Sequence, residues 1–193
     1  MTYPNWFETT NALANFEKHL LGLSSKELKC LQIGAYTGDA TRWMVDNLLK
    51  NPNSFLVDVD TWEGSDEPVH HNLDWKDVYR TYTDKNAKAI YDGIVIPMQM
   101  TSDKYFADIR DKEMFDFIYV DGDHTAFAVL RDGSNAYDKL KVGGILAFDD
   151  YTWSLGKGSY YDPGYAIDAL VHLLIGRVEK IEDNSQLWLR KII

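Results

Sequence analysis

Residues 115–153, FDFIYVDGDHTAFAVLRDGSNAYDKLKVGGILAFDDYTW, decide the fold. The apolar runs FDFIYV and GGILAF are typical of buried strands, and the segment between them has helical periodicity. Asp121 follows the first run directly, and Asp149 and Asp150 follow the second. Because ligands bind at the carboxyl ends of the strands in an open parallel sheet, these three carboxylates are candidates for a functional site.

The rest of the chain repeats this alternation of short apolar runs and longer helical segments. Further strands are predicted at 28–34, 53–60 and 93–99, and a final hairpin at 176–182 and 186–193. The pattern predicts a doubly wound α/β sheet. A polar stretch from Thr61 to Trp75 is long for a loop, and long loops are often lids or binding loops.

Length and composition favour a single domain, and the net charge argues against a nucleic-acid-binding protein. With 193 residues of which 45% are hydrophobic, we expect one domain over 1–193, with an N-terminal helix at about 8–22 and a core at about 28–193. A net charge of −10 argues against a nucleic-acid partner.

The single cysteine, Cys30, excludes an internal disulfide and fits a reducing compartment. No signal-peptide pattern and no run of eighteen apolar residues is visible, so we expect a cytoplasmic protein without a membrane partner. The sequence leaves the oligomeric state open, a homo-oligomer included.

The first predicted strand runs into the turn IGAYTGDAT, in which Gly34 and Gly38 flank the start of a helix. Glycine lets a ligand approach the backbone closely, and the start of a helix offers free N–H groups. Asp60 ends the second strand, where a carboxylate can accept both hydroxyl hydrogens of a ribose. Asp58 is a rival two residues earlier. Because the third glycine of the dinucleotide fingerprint is missing, adenosine without a second nucleotide fits better.

With these motifs the chain resembles the class I S-adenosylmethionine-dependent methyltransferases, and within them the methyltransferase-24 group, which includes metal-dependent sugar and antibiotic O-methyltransferases. The matching motifs are QIGAYTGDAT (32–41), VDVDTWEGS (57–65), MTSDKYF (100–106), IYVDGDH (118–124) and GGILAFDDY (143–151). The resemblance implies a Rossmann-like, seven-stranded sheet, mostly parallel, with a C-terminal antiparallel hairpin.

The resemblance also implies a binding site for S-adenosyl-L-methionine. Its expected residues are Gln32, Gly34, Ala35, Gly38, Asp60, Thr61, Trp62, Thr101, Ser102 and Asp121. Gly34, Ala35 and Gly38 would line the methionine portion, Asp60 would hold the ribose, and Thr101 with Ser102 would lie near the adenine. Trp62 would pack on the adenosine side or anchor its loop in the core. Gln32 departs from the family, which usually carries Glu or Asp at this position.

The three carboxylates can be interpreted physically as a metal site. Asp121 is expected about 5 Å from the next strand's end, within reach of an ion shared with Asp149 and Asp150. Carboxylates that close raise each other's pKa unless a cation compensates. Oxygen ligands without a Cys and His cluster favour Mg²⁺ over Zn²⁺. In the family, the matching positions bind metal. Alternatively, Asp149 caps the loop and Asp121 bonds a backbone amide.

His124 follows Asp121 by three residues, and either one is a candidate base for a substrate hydroxyl. His124 could instead cap the helix that begins near Thr125. His70 and His71 lie in the long loop, where they could face the acceptor or solvent.

The function that the resemblance implies is S-adenosylmethionine-dependent, Mg²⁺-dependent O-methylation of a small hydroxylated molecule. Two alternatives remain: a metal-independent N- or protein methyltransferase, and a non-catalytic protein that binds S-adenosylmethionine or S-adenosylhomocysteine. Loops vary freely on one fold, so the acceptor is not specified. Tyr151, Trp153, Tyr160 and Tyr161 indicate an aromatic pocket for it.

Overall fold

Seven strands form one sheet in the computed structural model, which describes residues 3–193. The strands are β1 Lys29–Ile33, β2 Phe55–Asp60, β3 Val95–Gln99, β4 Phe115–Val120, β5 Leu140–Phe148, β6 Val178–Asp183 and β7 Leu187–Lys191. Their order is β3-β2-β1-β4-β5-β7-β6. Strands β1 to β5 pair in parallel, whereas β7 is antiparallel to both β5 and β6. This confirms the predicted fold class.

Helices cover both faces of the sheet. They are α1 Trp6–Thr9, α2 Ala12–Leu20, α3 Asp39–Trp43, α4 Trp75–Tyr91, α5 Ser102–Asp108, α6 Ala126–Lys139 and α7 Pro163–Leu173. A single π-helical turn, Met44–Leu48, continues α3. Asp74 begins α4 by accepting hydrogen bonds from the backbone of Lys76 and Asp77. Among residues 3–193, no helix combines the length and the apolar character needed to cross a membrane.

The core consists of two apolar layers, because successive residues of a strand point to opposite faces. In β1, Cys30 packs into the layer that contains α2, α3 and α4, and Leu31 packs into the layer that contains α5, α6 and α7. The two layers pack against both faces of the sheet. The loops at the carboxyl ends of the strands are therefore anchored in a packed core.

The N-terminal segment is broken into two helices where the sequence predicted one at about 8–22. Asn5 caps α1 by accepting a hydrogen bond from the backbone of Glu8, and Thr10 interrupts the helix in an extended conformation. Phe7 packs edge-on against Phe16 of α2, with ring centroids 4.9 Å apart. This break brings α1 to the carboxyl edge of the sheet.

Candidate active site

A cavity of about 540 Å³ lies at the carboxyl ends of β1, β2, β4 and β5. Its size is within the range of sites that hold drug-sized ligands. The turn after β1 and residues 100–103 line one side, and the residues that follow β4 and β5 line the other. The location is the edge at which the sequence predicted a site.

Gly34 lies where the turn after β1 contacts the end of β4. Its φ is +84°, and a Cβ atom there would lie 1.8 Å from the backbone oxygen of Asp121. The Gly34 N–H donates to the Val59 carbonyl at 2.9 Å, and the Asp121 N–H donates to the Ile33 carbonyl at 2.8 Å. Only glycine permits so close an approach of the turn to the end of β4.

The other predicted residues of this turn divide into two groups. Ala35 and Gln32 line the cavity, and the Gln32 side-chain amide donates to the Gly34 carbonyl at 2.7 Å. Gly38 does not line it: a Cβ atom there would lie 2.3 Å from Asn86 Nδ2 of α4. Gly38 therefore permits the packing of α3 against α4, and any effect on a cofactor would be indirect.

Asp60 lines the cavity, but the protein already occupies most of its carboxylate. Oδ2 accepts hydrogen bonds from the backbone of Ala35 at 2.8 Å and of Tyr36 at 3.0 Å, and Oδ1 accepts one from Trp62 at 2.7 Å. A carboxylate has about four acceptor positions, so one remains for a ligand. The rival, Asp58, is fully buried and does not line the cavity.

Trp62 lies in the core. Its ring packs against Tyr79 and Tyr82 with centroids 4.6 and 4.8 Å away, and its indole N–H donates to the Tyr36 carbonyl at 3.0 Å. It does not line the cavity, whereas its neighbour Thr61 does. The position corresponds to the loop-anchor alternative.

Thr101 and Ser102 both line the cavity at the start of α5. Thr101 caps the helix, and the Ser102 hydroxyl donates to Asp132 Oδ1 at 2.7 Å. Asp132 also lines the cavity, and burial raises its pKa to about 6. Sequence reasoning missed Asp132 because nothing in its helical segment shows which polar side chain faces inward.

An acidic cluster with one histidine forms the opposite side of the cavity. Asp121, His124 and Asp150 each offer one metal-ligating atom, and these atoms lie within 4.8 Å of one another. His124 Nε2 is 3.0 Å from Asp150 Oδ2 and 3.6 Å from Asp121 Oδ1. Asp150 has a φ of +54°, which turns the chain at the end of β5 and directs this side chain inward. The structure thus brings together two of the three predicted metal ligands and the candidate base.

Asp149 lines the cavity but has protein partners on both carboxylate oxygens. Oδ2 accepts from the Tyr119 hydroxyl at 2.6 Å, and Oδ1 accepts from Gln186 Nε2 and from the backbone of Asp150, both at 3.0 Å. It does not share the cluster of Asp121, His124 and Asp150. Its role as a metal ligand stays a prediction.

The charges of the cluster perturb one another. Burial and the neighbouring charge of Asp149 raise the pKa of Asp121 well above its ordinary value, against the opposing effect of His124. Burial and Asp150 likewise raise the pKa of Asp149. Burial alone would lower the pKa of His124, but the nearby carboxylates of Asp121, Asp150 and Glu67 outweigh it and raise the pKa. A cation in the cavity would relieve the repulsion among the carboxylates.

The donor set fits a divalent metal ion. Neither ring nitrogen of His124 makes an aligned hydrogen bond, although carboxylate oxygens lie 3.0 and 3.1 Å away. Two carboxylates suit Mg²⁺, and the imidazole extends the set to ions such as Mn²⁺ and Zn²⁺.

The long loop after β2 folds over the cavity and contributes Glu67, which the sequence did not single out, and His70, one of the two loop histidines that it did. Glu67 Oε1 lies 3.1 Å from His124 Nδ1. His70 lines the cavity, with Nδ1 2.8 Å from the Ser65 hydroxyl, and burial lowers its pKa. His71 is exposed and lies 3.4 Å from Asp66. The length of the loop was the only signal for these contacts.

The aromatic wall of the cavity differs from the predicted one. Trp153 lines it, with its ring 5.2 Å from that of His124, but Tyr151, Tyr160 and Tyr161 do not. Other aromatic residues replace them, namely Trp6, Phe7, Tyr36 and Trp75. Tyr151 does not reach this cavity because its side chain lies against α7, where its hydroxyl donates to Asp168 at 2.8 Å.

The sequence and the fold were compared with those of known proteins. The model of the methyltransferase-24 family, described as a methyltransferase domain, matches residues 31–151. No curated protein matches the sequence.

Several solved structures have a similar fold. The O-methyltransferase TomG from Streptomyces achromogenes, involved in tomaymycin synthesis and solved with SAM, is 15% identical; the alignment covers 95% of this chain and 82% of TomG, with a TM-score of 0.66. A putative rRNA-methylase from Clostridium thermocellum is 12% identical, with 100% and 99% covered and a TM-score of 0.69. MycE from the mycinamycin pathway, solved with Mg and SAH, is 15% identical, with 100% and 51% covered and a TM-score of 0.62.

Proposed function

This chain belongs to the methyltransferase-24 family, and we propose that it transfers a methyl group from S-adenosylmethionine to a hydroxyl group of a small molecule, with the aid of Mg²⁺. The observation that carries the proposal is the placement of two unlike groups in one cavity. The Gly34 turn faces the acidic cluster of Asp121, His124 and Asp150 across it. Similar folds with SAM in TomG and with Mg and SAH in MycE support it.

The cofactor would lie along the Gly34 side of the cavity. Gln32, Gly34 and Ala35 would contact its methionine portion, and the remaining acceptor position of Asp60 would hold one ribose hydroxyl. Thr61, Thr101 and Ser102 line the adjacent wall, which suits the adenine. The buried carboxylate of Asp132 is a further acceptor on this wall.

The acidic cluster would hold the metal and the acceptor. Asp121 and Asp150 would bind the ion, Asp149 being the third ligand by family resemblance. When bound, a divalent ion supplies positive charge that lowers the pKa of an acceptor hydroxyl.

In the transfer step, Asp121 or His124 would take the hydroxyl proton, so that the acceptor oxygen could attack a methyl group held in line with it. S-adenosylmethionine, when bound, would supply that methyl group and leave as S-adenosylhomocysteine, with the electron pair of the broken carbon–sulfur bond on sulfur. We propose that the domain at 1–193 performs this reaction in the cytoplasm. The closing loop and the aromatic wall would position the acceptor and exclude water.

The test is calorimetry with S-adenosylhomocysteine and Mg²⁺, followed by a methyl-transfer screen of phenols and sugars with and without a chelator. We expect binding of both ligands and transfer that the chelator abolishes. Unchanged transfer in chelator would eliminate the metal role. Transfer to amines or to proteins, added to the same screen, but not to phenols or sugars would favour a metal-independent N- or protein methyltransferase. Binding without transfer to any acceptor would instead favour a non-catalytic binding protein.

A further inference from the structure

Glu67 is a buried carboxylate carried by a loop rather than by the sheet. Its exposed fraction is 8%, whereas the side chain of the adjacent Asp66 is 95% exposed. Glu63, on the same loop, is also exposed. Burial of a carboxylate costs free energy unless it is paired, so the partners of Glu67 explain why this residue faces inward.

Its partners connect the loop to the acidic cluster. Glu67 accepts a hydrogen bond from the Ser65 hydroxyl at 2.8 Å, and its Oε1 lies 3.1 Å from His124 Nδ1. Ser65 in turn lies 2.8 Å from His70 Nδ1. Burial would raise the pKa of Glu67, but the proximity of His124, the hydrogen bond from Ser65 and the charge of His70 together outweigh it and lower the pKa. The loop is thus held over the cavity at the ring of His124.

The two ring nitrogens of His124 have different neighbours. Nδ1 faces Glu67 from the loop, and Nε2 faces Asp150 and Asp121 at the sheet edge. The distances are short but the ring is not yet aligned for hydrogen bonding, which is common for catalytic pairs before their ligands bind. A carboxylate at one nitrogen of an imidazole fixes the tautomer and the orientation of the other.

We propose that Glu67 is a positioning residue: its carboxylate at Nδ1 fixes the orientation of the His124 ring, so that Nε2 faces the acidic cluster, and the same contact keeps the loop closed over the cavity. This role holds whether Nε2 contacts the acceptor or the metal ion, because both need the ring in the same orientation. The effect of Glu67 on catalysis rests on the proposed function, whereas the contact between Glu67 and His124 does not.

The test uses the full chain with S-adenosylhomocysteine and Mg²⁺, and compares the wild type, Glu67→Gln and the matched exposed control Glu63→Gln. Ring ¹⁵N and ¹³C resonances of His124 should be the same in the wild type and in Glu63→Gln. In Glu67→Gln these resonances should shift and broaden, because the ring is no longer held in one orientation, and amide hydrogen exchange over residues 63–74 should become faster. With a methylated acceptor in hand, kcat should fall about 10- to 100-fold while the KM for S-adenosylmethionine stays unchanged.

A Glu67→Gln protein whose ring resonances and loop exchange match those of Glu63→Gln would overturn the proposal. Failure of the proposed function has a separate signature, namely a wild type that binds no S-adenosylhomocysteine or methylates no acceptor, since the ring resonances need no turnover.

Discussion

The two sides of the cavity are built on opposite principles. On the Gly34 side, the backbone of the turn and the Asp60 carboxylate satisfy each other, and a backbone contact fixes the turn against β4. On the other side, Asp121 and Asp150 repel each other, and His124 lies beside them without an aligned hydrogen bond. We call the first the complete side, because its polar groups bond one another within the protein, and the second the unsatisfied side, because its carboxylates repel one another and His124 lacks an aligned hydrogen bond. Packing thus builds the proposed cofactor side, whereas uncompensated charge marks the proposed metal side.

Gly34→Ala should have the largest effect, because it breaks the contact on the complete side. We expect the free energy of unfolding to fall by at least about 4 kcal/mol, since a Cβ atom would overlap the Asp121 carbonyl. The control is Gly93→Ala, whose φ is +74° but whose Cβ atom would meet nothing within 4 Å. It should cost only the strain of the left-handed conformation, about 1–2 kcal/mol. If urea unfolding gave equal losses of unfolding free energy for the two variants, the close contact at Gly34 would not contribute to stability.

Asp150→Asn tests the unsatisfied side. Removing one charged ligand should weaken divalent-ion binding by about 100-fold or more, by comparison with the 10- to 100-fold that outer groups contribute. The affinity for S-adenosylhomocysteine should be unchanged. Calorimetric titration with Mn²⁺ and Mg²⁺ measures both, with the exposed Asp66→Asn as control. Ion binding that is equal in the two variants would remove Asp150 from the ligand set.

Asp58 is the one fully buried acid beneath the complete side, and it provides a pH test there. It accepts hydrogen bonds from the hydroxyls of Thr41 at 2.8 Å and Tyr82 at 2.7 Å, yet burial raises its pKa to about 7. Because the pKa of Asp58 is higher in the folded protein than in the unfolded chain, the folded protein loses stability as the pH rises towards the folded pKa. As the pH rises from about 5.5 to 8, Asp58 should lower the free energy of unfolding by about 2 kcal/mol. In urea unfolding, the free energy of unfolding of Asp58→Asn should therefore decrease less over this pH range than that of the wild type. Equal decreases in the two proteins would contradict the prediction.

Trp6→Ala should have the smallest effect, because Trp6 borders the cavity without touching the acidic cluster. Its ring stacks on Tyr36 with centroids 4.6 Å apart, and such contacts contribute about 0.5–1.5 kcal/mol. The KM for an acceptor should rise about 2- to 10-fold, with unchanged binding of S-adenosylhomocysteine. The exposed Tyr91→Ala serves as control in the same steady-state assay. An unchanged KM would place the acceptor away from α1.

The sequence predicted the fold and the edge where the site lies, because both depend on local patterns. Apolar runs ending in Asp60, Asp121 and Asp150 are visible in the chain, and parallel strands bring their ends together. The sequence could not predict that Gly38 serves helix packing, or that Asp149 is held by Tyr119. Those facts depend on which side chains meet across distant elements.

The loop and the N-terminal segment were hardest to predict. Glu67 is one of several acids in a polar stretch, and only the path of the loop separates it from the exposed Asp66. Trp6 reaches the cavity because the first helix breaks at Thr10, and no periodicity marks that break. In both cases a tertiary contact selected one residue from several of similar type.

The absence of space between Gly34 and the Asp121 carbonyl makes the two sides a single thermodynamic unit. A ligand that shifts the turn must shift the end of β4, and an ion held by Asp121 must restrain the turn. Occupancy of one side should therefore change the affinity of the other, by the same factor in either direction. The coupling between methyl donor and ion would then pass through the contact of two backbone segments at Gly34 and Asp121.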